Sequence, residues 1–335
     1  SPLAHPLDAQ RAYYAPGQRV EVFGLRHWTP AALQDSISRK VPGQALHDAA
    51  CMATLTQTFG FADAEVTRLT MVGGPGAKSP TDRRHYLLIK LVEPQDSAEV
   101  VWAPEPRGMS VLRPEYASLV QPSLGETHAT AFGWTWFLPA LQYYGLDSAG
   151  RAQGLKQYPQ LQKDASRLWA FLDAQSSPAS RDLALIALRD DALYVNRLVA
   201  AMILVNFADE DAAWLALVEA MRDSHPAVRA LATHALGTMK PRTVDWTPAV
   251  PTLRLLIGGT NVRAFEDVVQ MLVQTGIAPA HGRALLSGNS RWVLEHLRAE
   301  NPMTLERTTR FLKRMNGGRD ASASKGGWEA WLARL

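Results

Sequence analysis

The feature that most narrows the fold is a helical unit that returns along the middle of the chain. Its clearest copy runs from Asp211 to Met239. Trp214, Leu217, Val218 and Met221 recur at the three- and four-residue spacing that gathers side chains on one helix face. A short turn, Asp223-Ser224-His225-Pro226, follows, and Val228, Leu231, Ala232, Ala235 and Leu236 mark a second helix that Gly237 is placed to end. Set in register, Arg197, Arg229 and Arg263 stand 32 and 34 residues apart, each opening a helix with apolar residues beyond it. One helix pair cannot hide its own apolar face, so a recurring pair predicts neighbours stacked around a continuous core. Further units are expected around Leu161 to Asp173 and Arg291 to Met315. Asn316 to Gly327 reads as a polar tether, and Trp328, Trp331, Leu332 and Leu335 form an apolar stripe suited to capping the open end of the stack.

Pro226-Ala227-Val228-Arg229-Ala230-Leu231-Ala232-Thr233-His234-Ala235-Leu236-Gly237 resembles the second helix of a HEAT repeat, and Val262-Arg263-Ala264 is a weaker copy. Asp191 and Asp223 each precede their Arg by six positions, as in the Asp–Arg ladder that joins successive HEAT units. The third unit departs from the pattern, because Ile257 stands where an acid is expected. In such stacks the ligand usually meets the second helices. The resemblance therefore makes Arg229, Thr233 and His234, expected to be exposed, with Arg197 and Arg263 beside them, the candidate protein-binding residues. The competing reading is that the three arginines serve only the ladder.

A different pattern occupies residues 17 to 102. Val20-Glu21-Val22-Phe23-Gly24 alternates like a half-buried strand, and Thr29-Pro30 supplies an N-cap followed by proline at the first helical position. Leu33 and Ile37 continue that helix to Pro42-Gly43, and a second helix carries Leu46, Ala49, Ala50, Ala53 and Leu55 on its apolar side before closing at Gly60. Strands are expected over Ala64 to Val72 and His85 to Val92, joined by the turn residues Gly73-Gly74-Pro75-Gly76. The expected order, β-α-α-β-β, gives one sheet with one helical face. Phe23-Gly24-Leu25, Thr29-Pro30-Ala31-Ala32-Leu33 and Phe59-Gly60-Phe61-Ala62-Asp63-Ala64-Glu65-Val66 make this module resemble the polypeptide-transport-associated (POTRA) module of bacterial outer-membrane assembly and secretion machines. That resemblance implies a periplasmic or secreted location, association with the cell envelope, and binding of extended peptides at a strand edge. One departure is plain: the transmembrane barrel pattern that usually follows such modules is not found in this sequence.

The expected fold class is thus α+β, a small POTRA-like domain followed by an all-α HEAT-type solenoid. Its divisions are an N-terminal extension over 1–16, the module over 17–102, an aromatic-rich linker over 103–160, the array over 161–315, and a tether with a capping helix over 316–335. The chain has 335 residues of which 47% are apolar, enough to bury such a core. Lys and Arg number 35 against 32 acids, for a net charge of +3, so no electrostatic footprint for nucleic acid is visible. The uncharged stretch Ala129 to Leu146 is interrupted by Thr130, Thr135, Pro139 and Gln142, and its Trp and Tyr residues read as packing aromatics rather than a membrane span. Cys51 is the single cysteine, which excludes an intramolecular disulfide and a thiolate zinc site. The start at Ser1 suggests either a trimmed chain or a mature chain after signal removal, and the POTRA resemblance favours the second.

Chemical motifs are few. Gly73 to Ser79 superficially resembles a phosphate loop, but Val72 and Ala77 stand where glycine is required and Pro80 follows. His47 and Cys51 are expected one turn apart on a helix, too few ligands for a metal, and read as buried structure. His225 reads as a turn residue that caps or is solvated, and His234 as a surface residue of its helix. No zinc-protease, nucleophile-elbow or dinucleotide signature occurs. The expectation is a non-enzymatic scaffold or adaptor for protein partners, with no cofactor, no metal and no integral membrane span. The alternatives are an accessory subunit docking on an enzyme, and a hydrolase with a site near Glu126 and His128.

Overall fold

The structure, a computed structural model, describes residues 12–73, 79, 81–108, 156, 170–322 and 327–335. Over these the protein is mixed α+β, with a four-stranded sheet first and a helical region after it. Two compact units divide the chain without following its order. The first takes the chain up to Val101 together with Arg254–Gln270 and Gly282–Leu335; the second comprises Trp102–Leu253 and Met271–His281.

In the first unit, β1 (Ala12–Ala15) and β2 (Gln18–Phe23) form a hairpin around Gly17, whose φ of 75° suits glycine. Helices α1 (Pro30–Lys40) and α2 (Cys51–Thr58) follow, then the antiparallel pair β3 (Asp63–Val72) and β4 (Arg83–Val92). The sheet order is β1-β2-β4-β3, with β2 and β4 parallel. Thr29 caps α1 by accepting from the Ala32 amide at 3.2 Å, as its sequence predicts. Val20, Val22, Leu87, Ile89 and Leu91 meet Leu33, Ile37, Leu46 and Leu55 on one face of the sheet. Each such side chain contributes about 1.5–3 kcal/mol when taken from water. Two expectations are corrected here. The extension over 1–16 contains β1, and α2 begins at Cys51, so Leu46 is buried from a turn and His47 lies outside the helix.

The second unit contains the helix pairs α3 (Pro178–Asp190) with α4 (Tyr194–Leu204) and α5 (Asp211–Ala220) with α6 (Pro226–Thr238). Trp214, Leu217 and Val218 of α5 and Val228, Leu231, Ala232, Ala235 and Leu236 of α6 are all buried, so the expected helical faces are the faces that pack. Trp246 extends this core, standing edge-on to Trp214 with ring centroids 6.4 Å apart and donating to Thr275 Oγ1 at 2.9 Å.

Beyond α7 (Val250–Ile257) the chain departs from the expected array. Arg263 lies in a 3₁₀ turn, Val262–Ala264, that leads into α8 (Phe265–Gln274), and this turn belongs to the unit that holds the sheet. The same unit holds α9 (Pro279–Leu286) from Gly282 onward, with α10 (Arg291–Leu297), α11 (Pro302–Met315) and α12 (Gly327–Leu332), including Trp328 and Leu332 of the expected cap. The start of α8 and helix α10 cover the second face of the sheet. His296 stacks on Phe23 at 4.9 Å and on Phe265 at 4.0 Å, and Lys90 of β4 pairs with Glu266 of α8. Trp292 is seated between two glycines in left-handed backbone: a Cβ on Gly24 would meet its ring at 2.6 Å, and one on Gly259 would meet its Nε1 at 2.5 Å.

Among the described residues no helix is long and apolar enough to cross a membrane. Ala129–Leu146, Glu126 and His128, the linker beyond Gly108, most of Leu161 to Asp173, and residues 74–78 and 80 of the glycine-rich loop lie outside the described residues.

Candidate interaction surface

The turns inside the two helix pairs of the second unit are wired alike. Asp191 Oδ1 accepts from the Leu193 amide at 2.8 Å, and Asp223 Oδ1 accepts from the His225 amide at 2.7 Å. Six residues after each Asp, an Arg returns to the turn: Arg197 Nη1 donates to the carbonyls of Asp191 and Ala192, and Arg229 Nη1 to those of Asp223 and Ser224. Turn carbonyls left without a backbone donor accept readily from such a group, which is why an Arg at that spacing suits this bend. The two pairs are also joined to each other. Arg197, fully buried, holds Asp223 through Nε at 2.7 Å and Nη2 at 2.8 Å, a two-pronged pair between one turn and the next. His225 stacks on Tyr194 with ring centroids 3.7 Å apart and caps α6 by accepting from the Ala227 amide. Burial pushes the His225 imidazole below its ordinary value, and Arg197 and Arg229 add to this against Asp223 and Glu105.

An extended segment, Trp102 to Gly108, lies on this row of turns. The Ala103 amide donates to the Arg222 carbonyl at 2.6 Å. At the other end Gly108 pairs with Asp191 as an isolated parallel bridge, donating to the Asp190 carbonyl at 2.8 Å and accepting from the Ala192 amide at 3.1 Å. The Arg229 guanidinium, held edgewise by its own turn, lies 3.8 Å from the centre of the Trp102 ring. Pro104 and Pro106 flank Glu105 and favour an extended chain.

The five candidate binding residues do not form one exposed face. Arg197 is consumed by the link to Asp223, and Thr233, expected to be exposed, is 8% accessible and returns its hydroxyl to the Arg229 carbonyl. A helix packed on both sides leaves less outer surface than a single apolar stripe suggests. His234, expected at the surface, is half-buried. Arg229 is partly exposed and stacked on Trp102. Arg263 belongs to the other unit, where it faces Glu65 of β3 at 3.7 Å. The residues missed by sequence reasoning are Trp102 and Tyr194. An aromatic followed by alternating prolines was the available signal for the first, and the position one residue into the helix, where Pro226 stands in the next pair, for the second.

The remaining polar clusters lie in the first unit. Glu93, fully buried, accepts from the amides of Arg26, His27 and Trp28 and from His27 Nδ1 at 2.6 Å, so it locks the loop between β2 and α1. Burial alone would push the Glu266 carboxyl up, but Lys90 and His296 more than reverse this and hold it well below the usual carboxylate range. The Cys51 thiol is buried and pushed up to about 11, by burial first and by the charge of Asp48 second. Among the described residues no group of three potential metal ligands comes together. No protein-family model, no curated protein and no solved structure matches the chain.

Proposed function

We propose that the chain is a non-enzymatic scaffold or adaptor, periplasmic or secreted, that holds protein partners through a HEAT-type helical stack and a POTRA-like sheet module. The observation that carries the stack is the repeated turn wiring, above all Arg197 of one pair reaching Asp223 of the next. A stack so joined presents a row of turns, and rows of this kind suit long protein segments better than small molecules. The sheet module adds β1 at one end of the strand order, with Tyr14 81% exposed on it, in keeping with peptide addition at an edge.

The test is capture followed by reconstitution. A photo-crosslinking residue placed at Tyr14 or Leu193, both exposed, is expected to trap a defined protein in the native cells. The purified protein should then bind the purified chain saturably, with an affinity on the order of micromolar or tighter. Recovery of small metabolites alone, with no protein companion that rebinds, contradicts the proposal.

A further inference from the structure

The segment Trp102–Gly108 shows what the row of turns can hold. It is extended, it carries two prolines that donate no amide hydrogen, and its hold is concentrated at its ends. Backbone bonds at Ala103 and Gly108 tie it to the turns of the two helix pairs, and one indole lies on one guanidinium. Between these ends Pro104 and Glu105 stand exposed. Six residues of extended chain span at most about 20 Å, enough to cross two neighbouring helix pairs. The receiving groups are fixed in advance: Arg229 is pinned by the carbonyls of Asp223 and Ser224, Asp223 by Arg197, and His225 by Tyr194. A surface organised around backbone groups and one aromatic seat does not depend on the seated peptide being part of the same chain.

We propose that the row formed by the Asp191–Tyr194 and Asp223–Pro226 turns is a docking surface for extended, proline-containing protein segments that open on an aromatic residue, and that Trp102–Gly108 is its occupant in cis. This rests on the scaffold reading and names the chemistry of the partner. Tethering gives the chain's own segment an effective concentration on the order of millimolar, so a partner must displace it. Two substitutions loosen the segment without touching the row. Trp102→Ala removes the aromatic anchor, and Gly108→Val places a Cβ 2.3 Å from the Asp190 carbonyl oxygen, where no side chain fits.

The experiment uses the full chain and the labelled peptide Trp-Ala-Pro-Glu-Pro-Arg-Gly, read by fluorescence polarisation. We expect the peptide to bind either loosened variant at least about tenfold more tightly than the parent, and Arg229→Ala in the same background to remove that gain. A peptide of the same composition in scrambled order should not bind. The proposal is overturned if a loosened variant that keeps the parent's cooperative melt fails to bind the peptide at about millimolar concentration. It is overturned equally if both variants unfold, since the segment is then part of the core and not an exchangeable occupant. Failure here with a crosslinked partner that rebinds leaves the scaffold standing and only the row refuted, whereas peptide binding with no protein partner refutes the scaffold and not the row.

Discussion

Glu21 and Lys90 sit on the same face of the sheet, and a charged side chain is ordinarily left in water. Both are instead buried, and their surroundings treat them differently. Lys90 finds Glu266. Glu21 accepts from the Glu300 amide at 3.0 Å, while its Oε1 has no hydrogen-bond partner. Burial pushes the Glu21 carboxyl up to about 7, against the smaller opposing pull of the Glu300 amide. A raised folded value means the fold favours the protonated acid, so this stability is complete below the ordinary 4.5 and is lost as pH rises through about 7. Glu21→Gln keeps the neutral form at every pH. Urea unfolding should therefore find the variant about equal to the parent near pH 4 and on the order of 3 kcal/mol more stable near pH 8. Equal effects at both values would show that Glu21 is not the buried acid described here.

At the scale of elements, α1, β4, α5 and α6 were legible because periodic apolar residues and local caps agree. Thr29-Pro30 opens α1 and His225-Pro226 opens α6 where expected. β1 was hidden by its length of four residues, and the strap at Trp102 because an extended proline-containing segment has no period. The Asp and Arg spacing was readable as a pattern, but only coordinates reveal that Arg197 serves its own turn and the next one together. Removing one partner from a buried ion pair leaves the other charge without its counterpart and costs about 3–5 kcal/mol. Arg197→Met and Asp223→Asn should each destabilise strongly, and the double variant should lose at least about 2 kcal/mol less than the sum of the two. Chemical denaturation of the four proteins measures this, and additivity within about 0.5 kcal/mol would separate the pair from the joining of α4 to α6.

For the whole molecule, an apolar helix stripe states that a surface must be buried but not what buries it. The stripes of α10 and α11 fit an array in sequence, yet Trp292, His296 and Thr304 close onto the partners of β2 and β4 in the first unit. That unit is assembled from three stretches of chain, and the helix pairs α3–α6 belong to the other. Native-state hydrogen exchange, resolved by residue, tests this division most directly. We expect the amides of α10 and α11 to open with the same free energy as those of β2 and β4, and with a different one from those of α4 and α6. Exchange of α10 and α11 in step with α4 and α6, independent of the sheet, would contradict it.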